Sequence, residues 1–321
     1  MTRILVADPL EASGLDILRA AGAEVHLVSA AERARLPELV AEVDALVVRS
    51  ATKVTRALLE SANRLRVVGR AGVGVDNVDV EAATERGVLV VNAPTGNLVS
   101  ATEHTFALLL AVARSVPAAD ASMKRGEWDR KRFVGLELQG KTLGVVGLGR
   151  IGQRVASRAQ AFEMKVVACD PFLDSAQAAQ LDVELLPLDD LLAASDVVTL
   201  HTPSTRETRH LIDARRLALL KPNAILINCG RGGLVDEAAL LAALEAGRLG
   251  GAGIDVFEEE PTARHELTKH PRVVATPHIG AQTREAQERI AIETAHMVLA
   301  GLDGAIPPGA VNRPRSRPEP Y

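Results

Sequence analysis

Short runs of β-branched and aliphatic residues alternate with helical patterns along almost the whole chain. Runs of this kind are typical of parallel strands that helices bury on both faces. The alternation therefore predicts repeated βα units and an α/β fold. The expected strands form two series, the first at residues 4–7, 25–28, 45–48, 66–68 and 88–91, the second at 143–146, 165–169, 197–200, 224–228, 251–256 and 272–275.

Two long helical patterns, at residues 97–114 and about 283–299, separate and follow these series. A chain of 321 residues is long enough for two domains, because single cores seldom grow past roughly 250 residues. We expect two doubly wound parallel-sheet domains, Rossmann-like or flavodoxin-like, with a cleft between them. One is expected to be discontinuous, comprising residues 1–97 and 284–321, and the other to cover 98–283. The Pro- and Arg-rich tail from Ile306 onward is expected to be disordered.

Composition narrows the classes of partner. The net charge of -4 argues against nucleic acid or an anionic membrane, although a local Arg cluster can still bind a small anionic substrate. No apolar stretch reaches the roughly 20 residues of a membrane span, and no signal-peptide pattern opens the chain, so we expect a cytoplasmic protein. The two cysteines have no zinc-site spacing and form no disulfide framework, so no metal is expected.

A glycine loop at residues 147–152 has the pattern GxGxxG, follows a predicted strand and opens a predicted helix. Gly147 allows the tight turn, Gly149 lets the backbone approach a pyrophosphate, and Gly152 allows the helix to pack closely on the strand. Asp170, about 20 residues on, is placed to bind the ribose hydroxyls and to repel a 2′-phosphate. The loop therefore predicts NAD in preference to NADP. A second glycine cluster, residues 69–74, does not complete the GxGxxG pattern and has no distal acid, and it indicates a tight anion-holding loop.

Three features near strand ends could support hydride transfer to a ketone, which needs a proton for the oxygen and a cation to hold a carboxylate. His278 follows Pro277, and its ordinary pKa suits proton transfer near neutral pH. Arg231 lies between glycines and could bind a carboxylate through two hydrogen bonds. The acidic turn 258–260 could supply a carboxylate that orients the imidazole. Each also has a structural interpretation, as a loop histidine, a solvated arginine and a solvated turn. The other histidines are expected at the surface or in packing positions, except that His201 is expected to border the nucleotide.

Several motifs in order give the chain a close resemblance to the D-isomer-specific 2-hydroxyacid dehydrogenases, from about residue 3 to residue 300. The motifs are residues 48–55, 69–79, 92–97, 147–152, 231–237, 252–257 and 276–281. The resemblance implies an NAD-dependent enzyme in which Arg231 binds the substrate and His278 is the acid/base. In this family the carboxylate partner immediately precedes a proline, which selects Glu260 within the acidic turn.

The resemblance also implies binding residues. Cofactor positions fall on Gly147, Gly149, Arg150, Ile151, Gly152, Asp170, Thr202, Cys229, Asp255 and Gly280. Substrate positions fall on Arg49, Lys53, Arg70, Val73, Gly74 and Asn97. The discontinuous domain is then the substrate-binding domain, and the other is the NAD-binding domain with a dimerisation arm at about 115–138. We expect a homodimer or homotetramer.

The implied reaction is oxidation of 3-phospho-D-glycerate to 3-phosphohydroxypyruvate in serine biosynthesis, because Arg49, Lys53 and Arg70 match positions near the distal end of the substrate. Reduction of glyoxylate or hydroxypyruvate is an alternative, and an NAD-sensing corepressor-like binding protein is a non-enzyme alternative. The chain departs from the family at Gln282, where Ser is usual. It is also expected to be a short form, without the C-terminal domain that binds serine in longer relatives.

Overall fold

A computed structural model describes residues 1–314 of the chain. It divides into two compact units, one formed by Met1–Asn97 with the segment that begins at Gln282, the other by Leu98–Ala281. Each unit has its own fully parallel sheet, which confirms the predicted α/β class.

The strands follow the predicted positions closely. They are β1 (Arg3–Val6), β2 (Glu24–Leu27), β3 (Ala45–Val48), β4 (Val67–Arg70), β5 (Leu89–Asn92), β6 (Thr142–Val146), β7 (Lys165–Cys169), β8 (Glu184–Leu185), β9 (Val197–Leu200), β10 (Ile225–Asn228), β11 (Gly251–Ile254) and β12 (Val273–Ala275). Only the two-residue β8 was not predicted, because two residues are too few to show a pattern.

The helices occupy the segments between the strands. They are α1 (Ala12–Ala20), α2 (Leu36–Val40), α3 (Arg56–Ser61), α4 (Val80–Glu85), α5 (Leu98–Ala113), α6 (Val116–Lys124), α7 (Arg150–Ala161), α8 (Ser175–Ala179), α9 (Leu188–Ala194), α10 (Ala214–Leu217), α11 (Glu237–Glu245), α12 (His265–Lys269) and α13 (Arg284–Leu302). Short 3₁₀ turns cover Ala30–Arg35, Arg130–Phe133 and Gly232–Leu234. Among the described residues no single helix is long and apolar enough to cross a membrane. Helices α5 and α6 meet that test only together, and a 63° bend separates them.

The first unit has the strand order β2-β1-β3-β4-β5, which is the flavodoxin-like order. Its central strand β3 is buried at all four residues. The last helix, α13, belongs to this unit and packs on α1. A Cβ at Gly14 of α1 would lie 2.7 Å from the carbonyl oxygen of Ala291, so the two helix backbones touch. The unit is therefore discontinuous in sequence.

The segment after α13 is ordered where it meets β5. Ala310 forms an antiparallel bridge with Val91. The buried side chain of Asn312 accepts a hydrogen bond from Val90 N at 2.8 Å and donates to Val88 O at 2.9 Å. The expectation of disorder from Ile306 is therefore wrong for this stretch, because backbone bonds of residues 309–311 and the Asn312 side chain together satisfy the open edge of β5. Residues 315–321 of the predicted tail lie outside the described residues.

The second unit has the order β12-β11-β10-β9-β6-β7-β8. The order reverses between β6 and β9, so the loops after these two strands diverge and leave a crevice at their carboxyl ends. Helix α5 covers one face of the sheet and contributes buried residues such as Phe106, Leu108 and Leu109 to its core. Ligands of open α/β sheets bind at this carboxyl edge, and most of the predicted cofactor and catalytic residues lie along it.

Candidate active site

The glycine loop lies directly beyond β6 and against the end of β9. Gly147 has a φ of 89°, and a Cβ there would lie 2.9 Å from the carbonyl of His201. A Cβ at Gly152 would overlap the carbonyl oxygen of Gly147. At Gly149, which caps the 12-residue helix α7, a Cβ would meet nothing within 4 Å. The loop is thus packed tightly on the protein side and open above the helix N-terminus, where backbone amides can bind the pyrophosphate of a dinucleotide.

Asp170 closes one side of this loop. Its Oδ2 accepts a hydrogen bond from Leu148 N at 2.8 Å, and its Oδ1 accepts one from Phe172 N at 2.9 Å. The half-buried carboxylate therefore lies at the end of β7, beside the open face of the loop. A negative charge there attracts ribose hydroxyl groups and repels a phosphate, which fits NAD better than NADP.

Two groups near the crevice are held neutral. Burial lowers the pKa of His201 to about 4, and its Nε2 lies 2.9 Å from Thr199 Oγ1, so this histidine is uncharged at neutral pH. Burial, and then the charge of Asp255, raises the pKa of the Cys229 thiol to about 12. Thr202 follows His201 at the end of β9, and Cys229 follows β10. Neither His201 nor Cys229 is suited to acid/base work, so both can only border a ligand.

The side chains of His278 and Glu260 are hydrogen-bonded to each other at the carboxyl ends of β12 and β11. His278 Nδ1 lies 2.7 Å from Glu260 Oε2, and the two side chains are 46% and 39% exposed. This contact fixes the ring through Nδ1 and directs Nε2 to the opposite edge. Such an arrangement suits a histidine that exchanges a proton with a bound molecule while a carboxylate stabilises its charged form.

Glu260 is held as a carboxylate. Burial alone raises its pKa, but the hydrogen bond and charge of His278, together with a hydrogen bond from Phe257 N at 3.1 Å, outweigh burial and lower the pKa below its ordinary value. The neighbouring Glu258 has other partners, since its Oε1 accepts from Glu237 N at 3.0 Å. The structure therefore singles out Glu260 from the acidic turn as the partner of His278.

The loop that carries His278 is anchored by the buried Asp255. This carboxylate accepts hydrogen bonds from Thr276 Oγ1 at 2.6 Å, Ile279 N at 2.8 Å and Gly280 N at 2.9 Å. Burial raises its pKa, yet the bonds from His104, Thr276 and Ile279 lower it overall, so it stays ionised. His278 N also donates to the Asp255 carbonyl at 2.8 Å, which supports the left-handed φ of 54° at His278.

His104 is a residue of this site that the sequence did not single out. Its Nε2 lies 3.0 Å from Thr276 Oγ1 and 3.2 Å from Asp255 Oδ1. It projects from α5, more than 150 positions away along the chain. Its place in a mostly apolar helix is a weak signal, since that helix has other polar residues, and the signal does not identify a partner.

Arg231 lies in the turn after β10. Its backbone carbonyl accepts from Asn228 Nδ2 at 2.9 Å, and its guanidinium donates to Gly230 O at 2.8 Å. The next residue, Gly232, packs on the backbone of Phe257, where a Cβ would overlap the carbonyl. Strands β10, β11 and β12 are neighbours in the sheet, so the loops of Arg231, Glu260 and His278 lie side by side at one edge.

The residues predicted to bind substrate lie in the other unit and also share one sheet edge. Arg49 follows β3, Arg70 ends β4, and Val73 and Gly74 lie in the loop after β4. The side chain of Asn92 donates to Val73 O at 2.6 Å, which fixes that loop. Lys53 and Asn97 follow β3 and β5 at the same edge. The structure groups all six residues at the carboxyl ends of parallel strands, and their roles stay predictions.

A glycine loop open above a helix N-terminus, an acid at the next strand and an anchored His–Glu pair define an NAD-binding dehydrogenase domain. Residues 106–280 match the family model described as D-isomer specific 2-hydroxyacid dehydrogenase, NAD binding domain. The chain belongs to the D-isomer specific 2-hydroxyacid dehydrogenase family. The predicted family and cofactor are therefore confirmed.

Known relatives agree with this assignment. The chain is 50% identical over 315 residues to D-3-phosphoglycerate dehydrogenase of Methanocaldococcus jannaschii, covering 98% of this chain and 60% of that protein. It is 53% identical over 309 residues to D-3-phosphoglycerate dehydrogenase of Mycobacterium tuberculosis, covering 96% and 58%. The chain thus spans about three fifths of the length of these curated relatives.

Solved structures resemble the chain over almost its full length. The TT0316 protein of Thermus thermophilus has a TM-score of 0.88 and 41% identity, with 97% of this chain and 100% of that chain covered. D-lactate dehydrogenase of Aquifex aeolicus, complexed with NAD and lactic acid, has a TM-score of 0.86 and 30% identity, with 98% and 100% covered. These likenesses extend beyond the NAD-binding domain to both units of the chain.

Proposed function

We propose that this chain is an NAD-dependent dehydrogenase that oxidises 3-phospho-D-glycerate at C2 to 3-phosphohydroxypyruvate. The observation that carries the proposal is the His278–Glu260 pair, joined at 2.7 Å beside the loop of Arg231. Curated relatives that share 45–53% identity with the chain and are named D-3-phosphoglycerate dehydrogenase support the choice of substrate. A role in serine biosynthesis follows from that reaction.

The chain's own residues provide the proton and the substrate contacts. Bound NAD supplies the hydride acceptor. His278 Nε2 accepts the proton of the C2 hydroxyl, and the Glu260 carboxylate stabilises the imidazolium that results. Arg231 binds the substrate carboxylate through its guanidinium fork and polarises the oxygen at C2. The proton leaves to solvent from His278, whose side chain is 46% exposed.

Cofactor binding is assigned to the crevice of the second unit. The amides at the start of α7 would bind the pyrophosphate, and Asp170 the ribose. The remaining proposed positions border the cofactor: Arg150, Ile151, Thr202, Cys229, Asp255 and Gly280. Both oxygens of Asp255 already accept hydrogen bonds within the protein, so its effect on the nicotinamide would come largely through the 276–280 loop it anchors.

Substrate binding is assigned to the first unit. Arg49, Lys53 and Arg70 would bind the phosphate as a cationic group, and the backbone amides of Val73 and Gly74 would bind the carboxylate, with Asn97 beside them. The common edge on which these residues lie supports this assignment. Three cationic side chains at one sheet edge suit a dianionic phosphate better than a neutral group.

We also propose a homodimer formed through the arm at about residues 115–138. Trp128 is 76% exposed and Val134 86% exposed, and both flank the basic turn Arg130–Phe133. Large apolar side chains exposed together mark contact surfaces. Trp128→Asp is expected to shift the species seen by sedimentation velocity toward monomer, whereas an unchanged distribution would contradict a role of the arm.

The catalytic assignment is tested by following NADH absorbance on a panel of 2-hydroxy and 2-oxo acids. His278→Ala is expected to lower kcat about 100-fold or more while NAD still binds, because general acid/base catalysis contributes about that factor. His265→Ala is the matched control, since His265 is exposed at the start of α12. Near-normal turnover by His278→Ala would remove His278 from the mechanism.

The substrate assignment is tested on the same panel. Wild-type protein is expected to prefer 3-phosphoglycerate to D-glycerate, and Arg49→Ala is expected to reduce that preference. Preferred turnover of glyoxylate or hydroxypyruvate would instead identify a reductase of unphosphorylated acids. NAD binding without turnover of any acid would favour a binding protein.

A further inference from the structure

A buried carboxylate lies beneath the loop of residues 49–53 in the first unit. Asp8, two residues past β1, is 3% exposed. Its Oδ2 accepts hydrogen bonds from Arg49 N at 2.7 Å and from Thr52 N at 3.1 Å. Its Oδ1 accepts a third bond, from Thr52 Oγ1 at 2.9 Å. One side chain thus fixes the loop at both of its ends.

Asn77 holds the same two residues through their carbonyl groups. Its Nδ2 donates to Arg49 O and to Thr52 O, each at 2.6 Å. The chain then continues into a parallel bridge between Val54 and Val78, with Val54 N donating to Asn77 O at 2.8 Å. The amide and carbonyl of both Arg49 and Thr52 are therefore bonded to side chains. Side-chain anchors, in place of a sheet or helix ladder, determine the backbone course of this loop.

The Asp8 carboxylate also pairs with Arg33, a cation outside the 49–53 loop. Both terminal guanidinium nitrogens of Arg33 lie 3.3 Å from Asp8 Oδ1, and the Arg33 side chain is about half exposed. A bare buried anion beneath Arg49 and Lys53 would weaken their attraction for a phosphate. Because Arg33 compensates the carboxylate, Asp8 can organise the loop while the two cations keep their field toward solvent.

We propose that Asp8, together with Thr52 and Asn77, is a positioning group that sets the phosphate preference of the enzyme by fixing the backbone under Arg49 and Lys53. The proposal rests on the proposed function, in which those two cations bind the substrate phosphate. Long cationic side chains lose affinity when their backbone is mobile, since each must then be ordered on binding. Loosening the loop thus weakens binding of phosphorylated substrate more than binding of its unphosphorylated counterpart.

The test compares KM for 3-phosphoglycerate with KM for D-glycerate in each variant. Asp8→Asn replaces an acceptor-only group by one that carries an NH₂, so at least one of the three donors in the loop loses its acceptor. We expect the KM ratio to shift about tenfold or more against 3-phosphoglycerate, which is the factor that corresponds to about 1.4 kcal/mol. The affinity of inorganic phosphate, measured as a competitive inhibitor, is expected to fall by a similar factor.

Asp44→Asn is the matched control. Asp44 comes directly before β3, the strand that leads into the 49–53 loop. It accepts a hydrogen bond from Arg3 N at 2.8 Å. The control thus removes a carboxylate bonded to a backbone amide in the same unit, but at the opposite sheet edge. Its KM ratio is expected to stay within about twofold of wild type, even where its melting temperature falls.

Thr52→Val keeps the test decisive where Asp8→Asn fails to fold. The substitution removes the hydroxyl bond to Asp8 and retains the side-chain shape, and a smaller shift of the ratio in the same direction is expected. An unchanged ratio in folded Thr52→Val and Asp8→Asn, with Arg49→Ala altering it, would overturn the positioning role alone. Wild-type protein that does not use 3-phosphoglycerate, or an Arg49→Ala variant with an unaltered ratio, would overturn the phosphate assignment and this inference with it.

Discussion

Replacing Gly232 by Ala is expected to disturb the site through the backbone contact between two loops. A Cβ at Gly232 would overlap the carbonyl of Phe257 and lie 2.7 Å from Glu258 N. Ordinary contacts begin near 3.4 Å, so relief of the contact with Glu258 N alone takes about 0.7 Å, and relief of the overlap with the Phe257 carbonyl takes more. Arg231 lies on one of these loops and Glu260 on the other. Their separation therefore changes the position of the guanidinium relative to the His278–Glu260 pair.

The size of the effect follows from that displacement. Misplacing a reacting group by about 1 Å costs on the order of 100-fold in rate, so we expect kcat/KM to fall between about tenfold and 100-fold. Overpacking is also expected to lower the free energy of unfolding by about 1–3 kcal/mol. The rate is measured by NADH absorbance on the preferred substrate, and the stability by urea denaturation.

Gly233→Ala is the control for Gly232→Ala. It changes the adjacent glycine of the same 3₁₀ turn, where a Cβ would meet only Ser204 Oγ, at an ordinary 3.5 Å. We expect its kcat/KM to stay within about twofold of wild type. The reasoning is refuted if folded Gly232→Ala keeps near-normal kcat/KM, or if both variants lose activity equally.

Two further predictions concern charge states. The lowered pKa of Glu260 means that the ionised carboxyl stabilises the folded chain above its ordinary pKa of 4.5. The stability advantage of wild type over Glu260→Gln is therefore expected to shrink as pH falls through the lowered value, and urea titrations that show it growing below pH 4.5 would contradict the assignment. Because burial raises the pKa of Cys229 to about 12, a Cys169→Ser variant is expected to react slowly with a thiol reagent at neutral pH until it unfolds. Rapid labelling of the native variant would contradict this protonated state.

Much of the fold could be predicted because its signals are local. Strands buried on both faces must be continuous apolar runs, and β3 and β9 are buried at every residue. The part of the tail up to residue 314 was mispredicted for the opposite reason. Its composition resembles that of a disordered segment, whereas backbone bonds of residues 309–311 and the side chain of Asn312 join it to β5, more than 200 positions away.

The sequence by itself determined the glycine loop, the acid at Asp170, and the presence of an arginine and a histidine after strand ends. These features depend on residue type and short spacing along the chain. In a parallel βα fold, residues that directly follow strands all lie at the carboxyl edge of the sheet. For the acidic turn, by contrast, residue type and spacing did not distinguish the three glutamates, and family resemblance selected Glu260. Only the tertiary structure shows Glu260 at His278 and Glu258 at the amide of Glu237.

The buried anchors could be found only in the folded chain. Asp8 meets Thr52 across 44 positions, and His104 meets Thr276 across 172. Such partners are determined by which strands become neighbours in a sheet, and strand order is a property of the whole topology. A buried polar side chain must still find a partner, because an unsatisfied one costs about 1–3 kcal/mol. The sequence therefore contains the requirement for a partner, and the fold alone decides which residue meets it.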